Sequence, residues 1–284
     1  MQRYLTICML IVSVAHAYKL DKKLDAGNFL GFFDFIDTPD KYTGGCVSYI
    51  SKSEATSMGL ACVVGNQVYL VVDNNAVIDV KPQGGRKSIL RIFQLTPAAC
   101  DLPSGSYTMM ASMATSTQEI DILESVSYLA RNEITLGTKP GTAEIHGTNC
   151  DYDARGFEAT APPGTFGDSF NQDSGGVWAT QIEAEDIEVW HFKRSAIPAD
   201  VASDTLDPST WGKPVLSMLP QNCDISKIFN ITFCGESAGG GARNGQTECR
   251  ARTGVASCND FVATTPSAFD EVYFLVNSVK TYTK

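Results

Sequence analysis

The run Glu119-Ile120-Asp121-Ile122-Leu123-Glu124 decides the fold. Three carboxylates alternate with apolar side chains, the period of two that belongs to a strand with one face buried and the other in water. Glu119 and Asp121 then share a face. Glu124 falls on the opposite face of a regular strand, and one extra residue, taken up by a β-bulge, returns it. The bulged span is about four rises of 3.3 Å, roughly 13 Å between the outer Cα atoms. The plain reading is an acidic face turned to water. Against it, like charges aligned on one face repel, so the arrangement lowers stability unless something uses it.

Two glutamates leaning inward by about 4 Å each bring their carboxyls to about 5 Å. That is near the separation at which a retaining glycosidase pairs a nucleophile with an acid/base. Other chemistries find less support. Only His146 and His191 lie beyond the N-terminal leader, which leaves little for histidine-based metal sites or Ser-His-Asp catalysis. His191, within Val189-Trp190-His191-Phe192, reads as a strand residue. The glycine-rich stretch from Gly235 to Gly245 lacks the Lys-Ser/Thr ending of a phosphate-binding loop and reads as a surface loop.

Working outward, short runs rich in Val, Ile, Thr, Tyr and Phe recur at 46–50, 67–72, 88–93, 119–123, 133–136, 176–182, 186–192, 228–233 and 271–279. Turn-makers separate them: Gly44-Gly45, Gly65-Asn66, Asp73-Asn74-Asn75, Gly84-Gly85 and Pro162-Pro163-Gly164. Helical periodicity is scarce, with one short turn expected at 224–229. The pattern predicts an all-β protein, an antiparallel β-sandwich with sheets curved enough to carry a groove.

The ends and the composition bound the setting. Arg3, the apolar run from Leu5 to Val14 and Ala15-His16-Ala17 form a leader with its cleavage site over residues 1–17. A secreted, extracellular chain from Tyr18 onward is expected, folded as one domain over 18–284, with no membrane anchor in the polar C-terminal residues. Nine cysteines less Cys8 of the leader leave eight, so disulfides are the default, with the cluster at 223–258 tying down a long loop region and the pairing left open. The net charge of −10 speaks against nucleic acid and anionic membranes as partners and is compatible with an uncharged polysaccharide. A monomer without cofactor or metal is expected. Asn230-Ile231-Thr232 is a glycosylation acceptor at the surface or, flanked by Phe229 and Phe233, part of a strand; both readings stand.

The acidic run and its surroundings resemble glycoside hydrolase family 16, specifically the secreted fungal-type endo-1,3(4)-β-glucanases (laminarinase-like). The resemblance spans nearly all of the chain. It runs through Asn28-Phe29, Phe33-Asp34-Phe35, Ser53-Glu54-Ala55, Gly59-Leu60, Gly85-Arg86-Lys87-Ser88 and Gly175-Gly176-Val177-Trp178-Ala179. It continues through Trp190, Arg194, Ile197-Pro198-Ala199-Asp200, Trp211-Gly212-Lys213-Pro214, Cys223-Asp224-Ile225, Asn230 to Gly235 and Asn277-Ser278-Val279-Lys280. It implies a concanavalin-like β-jelly roll whose concave sheet forms the substrate cleft, and retaining hydrolysis of β-glucan. Glu119 would be the nucleophile, Glu124 the general acid/base, and Asp121 the residue that orients the nucleophile. Arg86 would touch sugar, against a reading as a surface arginine at a strand entrance; Asn132 would reach the cleft rim.

The chain departs from that family around the cleft. Tryptophan-rich sequence usually precedes the acidic motif; here it is Gly105-Ser106-Tyr107-Thr108-Met109-Met110, with Tyr107 as the remaining sugar platform. Glu236-Ser237 stands in place of Asp-Trp, and Gly137 in place of a common His. Losing a stacking ring weakens binding by on the order of 1 kcal/mol. The alternatives to hydrolysis are a cell-wall transglycosylase of the same fold and a glucan-binding protein that does not cut.

Overall fold

The computed structural model describes residues 17–40, 45–79, 85–94, 98–102, 110–114, 119–124, 131–137, 143–144, 157–183, 186–220, 226–231, 233–234 and 251–284. Residues 1–16 of the leader, Tyr107, the 235–245 stretch with Glu236-Ser237, and His146 lie outside the described residues.

Two large sheets carry the fold. One has eight strands in the order Ala143–Glu144, Leu216–Pro220, Ile187–Lys193, Gly176–Ile182, Ala98–Leu102, Ser278–Thr283, Tyr18–Asp25, Thr205–Leu206. The other has seven: Phe157–Thr160, Glu133–Gly137, Glu119–Glu124, Met110–Ala114, Ser226–Asn230, Leu90–Gln94, Asp34–Phe35. Their strand pairs are antiparallel, and neither sheet closes on itself. The expected all-β sandwich is what forms. A small third sheet departs from the antiparallel rule, because Val47–Tyr49 runs parallel to Arg86–Ser88.

Alternation explains the burial. Leu123 and Ile134 of the seven-stranded sheet are buried in one cluster with Trp178, Ile187, Val189 and Val279 of the eight-stranded sheet. The opposite side of the eight-stranded sheet is covered as well. There Val177, Ala179, Trp190, Phe192 and Tyr282 form a second cluster, against which Ile197 and Trp211 pack. Gly176–Ile182 is therefore buried along residues 176–180, and its first four residues, Gly176-Val177-Trp178-Ala179, read as a continuous apolar run.

Three expectations need correction. Residues 226–230 are strand rather than a turn of helix, since each pairs with a neighbour on both sides, for example Ile228 with Ser112 and with Ile92. Helices also form that periodicity did not reveal. Lys52–Ser57 starts at Ser51, whose Oγ accepts from the Glu54 N–H, and Cys258–Thr264 starts at Ser257, whose Oγ accepts from the Asp260 N–H. Finally, the cysteines are not all bridged. Cys234 and Cys258 form a disulfide, whereas Cys46 and Cys62 are free thiols. Cys46 is buried in the core, and burial pushes its thiol pKa up. Cys150, Cys223, Cys249 and the side chain of Cys100 lie outside the described residues. No helix among the described residues is long and apolar enough to cross a membrane.

Candidate active site

Strand register assembles the site. Glu119–Glu124 lies between Met110–Ala114 and Glu133–Gly137. On the second neighbour, Glu119 pairs with Gly137, Asp121 with Thr135 and Glu124 with Glu133. Between the last two of these pairs two residues, Ile122 and Leu123, thus face one, Ile134, which is one extra residue. The first neighbour places it: Leu123 pairs with Ala111 and Asp121 with Ser112, so Ile122 is the bulged residue. Residues 137, 135 and 133 share a face of their strand, and so Glu119, Asp121 and Glu124 share a face of theirs. The bulge read from the sequence is present.

Asp121 is buried and Glu124 half-buried; the side chain of Glu119 lies outside the described atoms. Register adds a carboxylate that sequence reasoning missed. Glu133 sits directly opposite Glu124 on the same face, about 4.8 Å away across the sheet. Its position depends on strand pairing, and nothing local in the sequence signals it. By register, this face carries on one side Met110, Ser112 and Ala114, then Asn230, Ile228 and Ser226, then Leu90, Ile92 and Gln94, then Asp34, and on the other side, beyond Glu133 and Thr135, Thr160 and Glu158. None of these positions is aromatic. Phe229 and Phe93 fall on the other face. Asn230, the acceptor of the glycosylation motif, is therefore in a strand and on the carboxylate face.

Two expected sugar contacts are elsewhere. Arg86 is 0% exposed. Its Nε donates to the Val262 carbonyl at 3.0 Å, and its Nη1 to the carbonyls of Asp73 at 2.7 Å and Ala76 at 3.1 Å. Nη2 donates to Val262 as well, and the guanidinium lies 5.1 Å from the centre of the Phe269 ring. Arg86 ties the 73–76 turn to the end of the Cys258–Thr264 helix, where free carbonyls favour a cation. It is not available to substrate. Asn132 is also 0% exposed, just ahead of the neighbouring strand and turned to the backbone of the acidic one rather than open at a cleft rim. Its Nδ2 donates to the Ile122 carbonyl at 2.7 Å, and its Oδ1 accepts from the Glu124 N–H at 2.9 Å.

His191 is a strand residue, as expected. Its ring packs on Trp178 with centroids 4.6 Å apart, and burial holds its pKa down at about 4.

The class of fold is a two-sheet antiparallel β-sandwich with three acidic positions on one face of a bulged strand, and comparison with known proteins specifies it. Residues 33–282 match the XgeA-like, catalytic GH16 domain. The chain belongs to this family of glycoside hydrolases. It is 31% identical to the endo-1,3(4)-β-glucanase of Arthroderma benhamiae, over 93% of this chain and 65% of that protein, and it spans less than half the length of several other curated relatives. Among solved structures, it is similar to an elongating GH family 16 β-1,3-glucosyltransferase, with 32% identity and a TM-score of 0.82, covering 94% of this chain and 100% of that one. It is also similar to Laminarinase 16A from Phanerochaete chrysosporium, which holds β-glucans in donor and acceptor sites. There the identity is 28% and the TM-score 0.79, over 94% of this chain and 100% of that one.

Proposed function

We propose that this chain is a secreted, retaining endo-β-glucanase that cuts β-1,3- or mixed β-1,3/1,4-glucan by double displacement. The observation that supports it most is the bulge at Ile122, which brings Glu119 and Glu124 to one face with Asp121 between them. In the first step the Glu119 carboxylate attacks the anomeric carbon while Glu124 gives its proton to the departing glycosidic oxygen. The bond to that oxygen breaks and a glycosyl ester forms. In the second step Glu124 takes a proton from water, which attacks the same carbon and releases Glu119. Asp121 hydrogen-bonds and orients the nucleophile. Tyr107 serves as a sugar platform. The protein leaves the cell after cleavage ahead of Tyr18, folds as one domain over 18–284 and works as a monomer.

The likeness to a glucosyltransferase favours a second reading, in which a sugar hydroxyl replaces water in the second step. The test is reducing-sugar release from soluble β-1,3-glucan and mixed-linkage glucan, with product chain lengths, for the mature protein and Glu119→Gln. Shorter products and new reducing ends, lost in the variant, support the hydrolase. Longer products without net reducing ends support the transferase. No turnover on either substrate contradicts both and leaves a glucan-binding protein that does not cut.

A further inference from the structure

A bulge inside a sheet leaves backbone groups without ladder partners. Here the break falls between Asp121 and Glu124, directly before the acid/base residue of the proposed reaction. Asn132 fills it. One side-chain amide donates to the Ile122 carbonyl at 2.7 Å and accepts from the Glu124 N–H at 2.9 Å, as a peptide unit of a neighbouring strand would. The two contacts flank Leu123, so a single planar group spans the bulge and fixes the direction in which the chain re-enters the ladder at Glu124.

Asn132 is itself held on every side. Its N–H donates to Thr165 Oγ1 at 3.0 Å, and that hydroxyl donates to the Pro162 carbonyl at 2.8 Å. Its own carbonyl accepts from the Ala161 N–H at 2.9 Å. With 0% exposure, nothing solvent-borne competes for the amide. Only an asparagine fits this role. Aspartate keeps the acceptor for Glu124 but sets an oxygen against the Ile122 carbonyl, and leucine keeps the volume but loses both bonds.

We propose that Asn132 is a positioning residue for the general acid/base: its amide locks the bulge so that Glu124 meets the departing oxygen. This rests on the reading of Glu124 as that acid/base. Misplacing an acid by about 1 Å reduces rates on the order of 100-fold, and only for leaving groups that need a proton.

The experiment compares the wild type with Asn132→Asp and Asn132→Leu on two substrates, a β-1,3-gluco-oligosaccharide and a dinitrophenyl β-laminaribioside, whose phenolate leaves unprotonated. The value of kcat/KM reports bond cleavage in both cases. The expected result is a loss of about 100-fold on the oligosaccharide and less than about threefold on the aryl glycoside, with KM little changed. The variants' melting curves identify which of them is folded, and Asn132→Asp, isosteric with the original, serves if leucine is not tolerated. Equal losses on both substrates, or none on the oligosaccharide, overturn the positioning role alone. A wild type inactive on both substrates overturns the functional reading, and the positioning role with it.

Discussion

At the scale of single residues, polar side chains near the site divide by what they bond. Arg86 and Asn132 both spend their hydrogen-bonding groups on main chain, so they hold backbone in place. Removing Arg86 strands the carbonyls it serves at Asp73, Ala76 and Val262, and each buried orphan costs about 1–3 kcal/mol. Arg86→Met is therefore expected to lose about 3 kcal/mol or more in urea unfolding, with KM for glucan unchanged in the folded fraction. A raised KM at unaltered stability would return Arg86 to the cleft. Neither role was legible in the sequence. Val262 lies 176 residues from Arg86, and a lone arginine or asparagine carries no local sign of its partner. Asp121 and Glu124 were legible, because their apolar neighbours fix which face they share.

At the scale of elements, the bulge could be read because alternation has a parity. The two isoleucines and Leu123 demand a buried face, and only one inserted residue reconciles that face with all three carboxylates. The short helices were less legible, since four to seven residues are too few for a 3.6-residue period to emerge; their Ser-x-x-Glu and Ser-x-x-Asp starts at Ser51 and Ser257 were the available signal. The strand Tyr18–Asp25 hid behind its lysines and aspartates, although Tyr18 and Leu24 are buried. The parallel pair of Val47–Tyr49 with Arg86–Ser88 depends on Gly85. A Cβ there would lie 2.1 Å from both the Cys46 carbonyl carbon and the Val47 nitrogen. Because the obstacle is backbone, Gly85→Ala is expected to destabilise by about 3 kcal/mol, measured by denaturant melts. A change within 0.5 kcal/mol would show that these strands separate freely.

At the scale of the whole molecule, the sandwich and its jelly-roll likeness follow from strand-like runs between turn-makers, whereas strand order across the sheets does not. Which strands neighbour Glu119–Glu124 is a long-range outcome, and with it the placing of Glu133 and Asn230 on the carboxylate face. The eight-stranded sheet also carries a pH dependence. His191 has its pKa lowered to about 4 by burial first and by nearby Lys193 second, with Asp173 opposing. The unfolded chain, at about 6.5, binds a proton that the folded chain refuses. Its contribution is fully present above about 6.5 and is lost as pH falls from there through about 4. Melting temperature should decline across that window, and His191→Gln should flatten the decline. An identical decline in the variant would assign the effect to other groups.

In the proposed reaction the bulged strand presents Glu119 as the nucleophile and Glu124 as its acid/base partner. Incubation with an activated 2-deoxy-2-fluoro laminari-oligosaccharide, followed by peptide mass spectrometry, traps whichever carboxylate attacks. One covalent glycosyl adduct is expected, on Glu119. An adduct on Glu124 or Glu133, or turnover of glucan by a protein that never forms one, would contradict it.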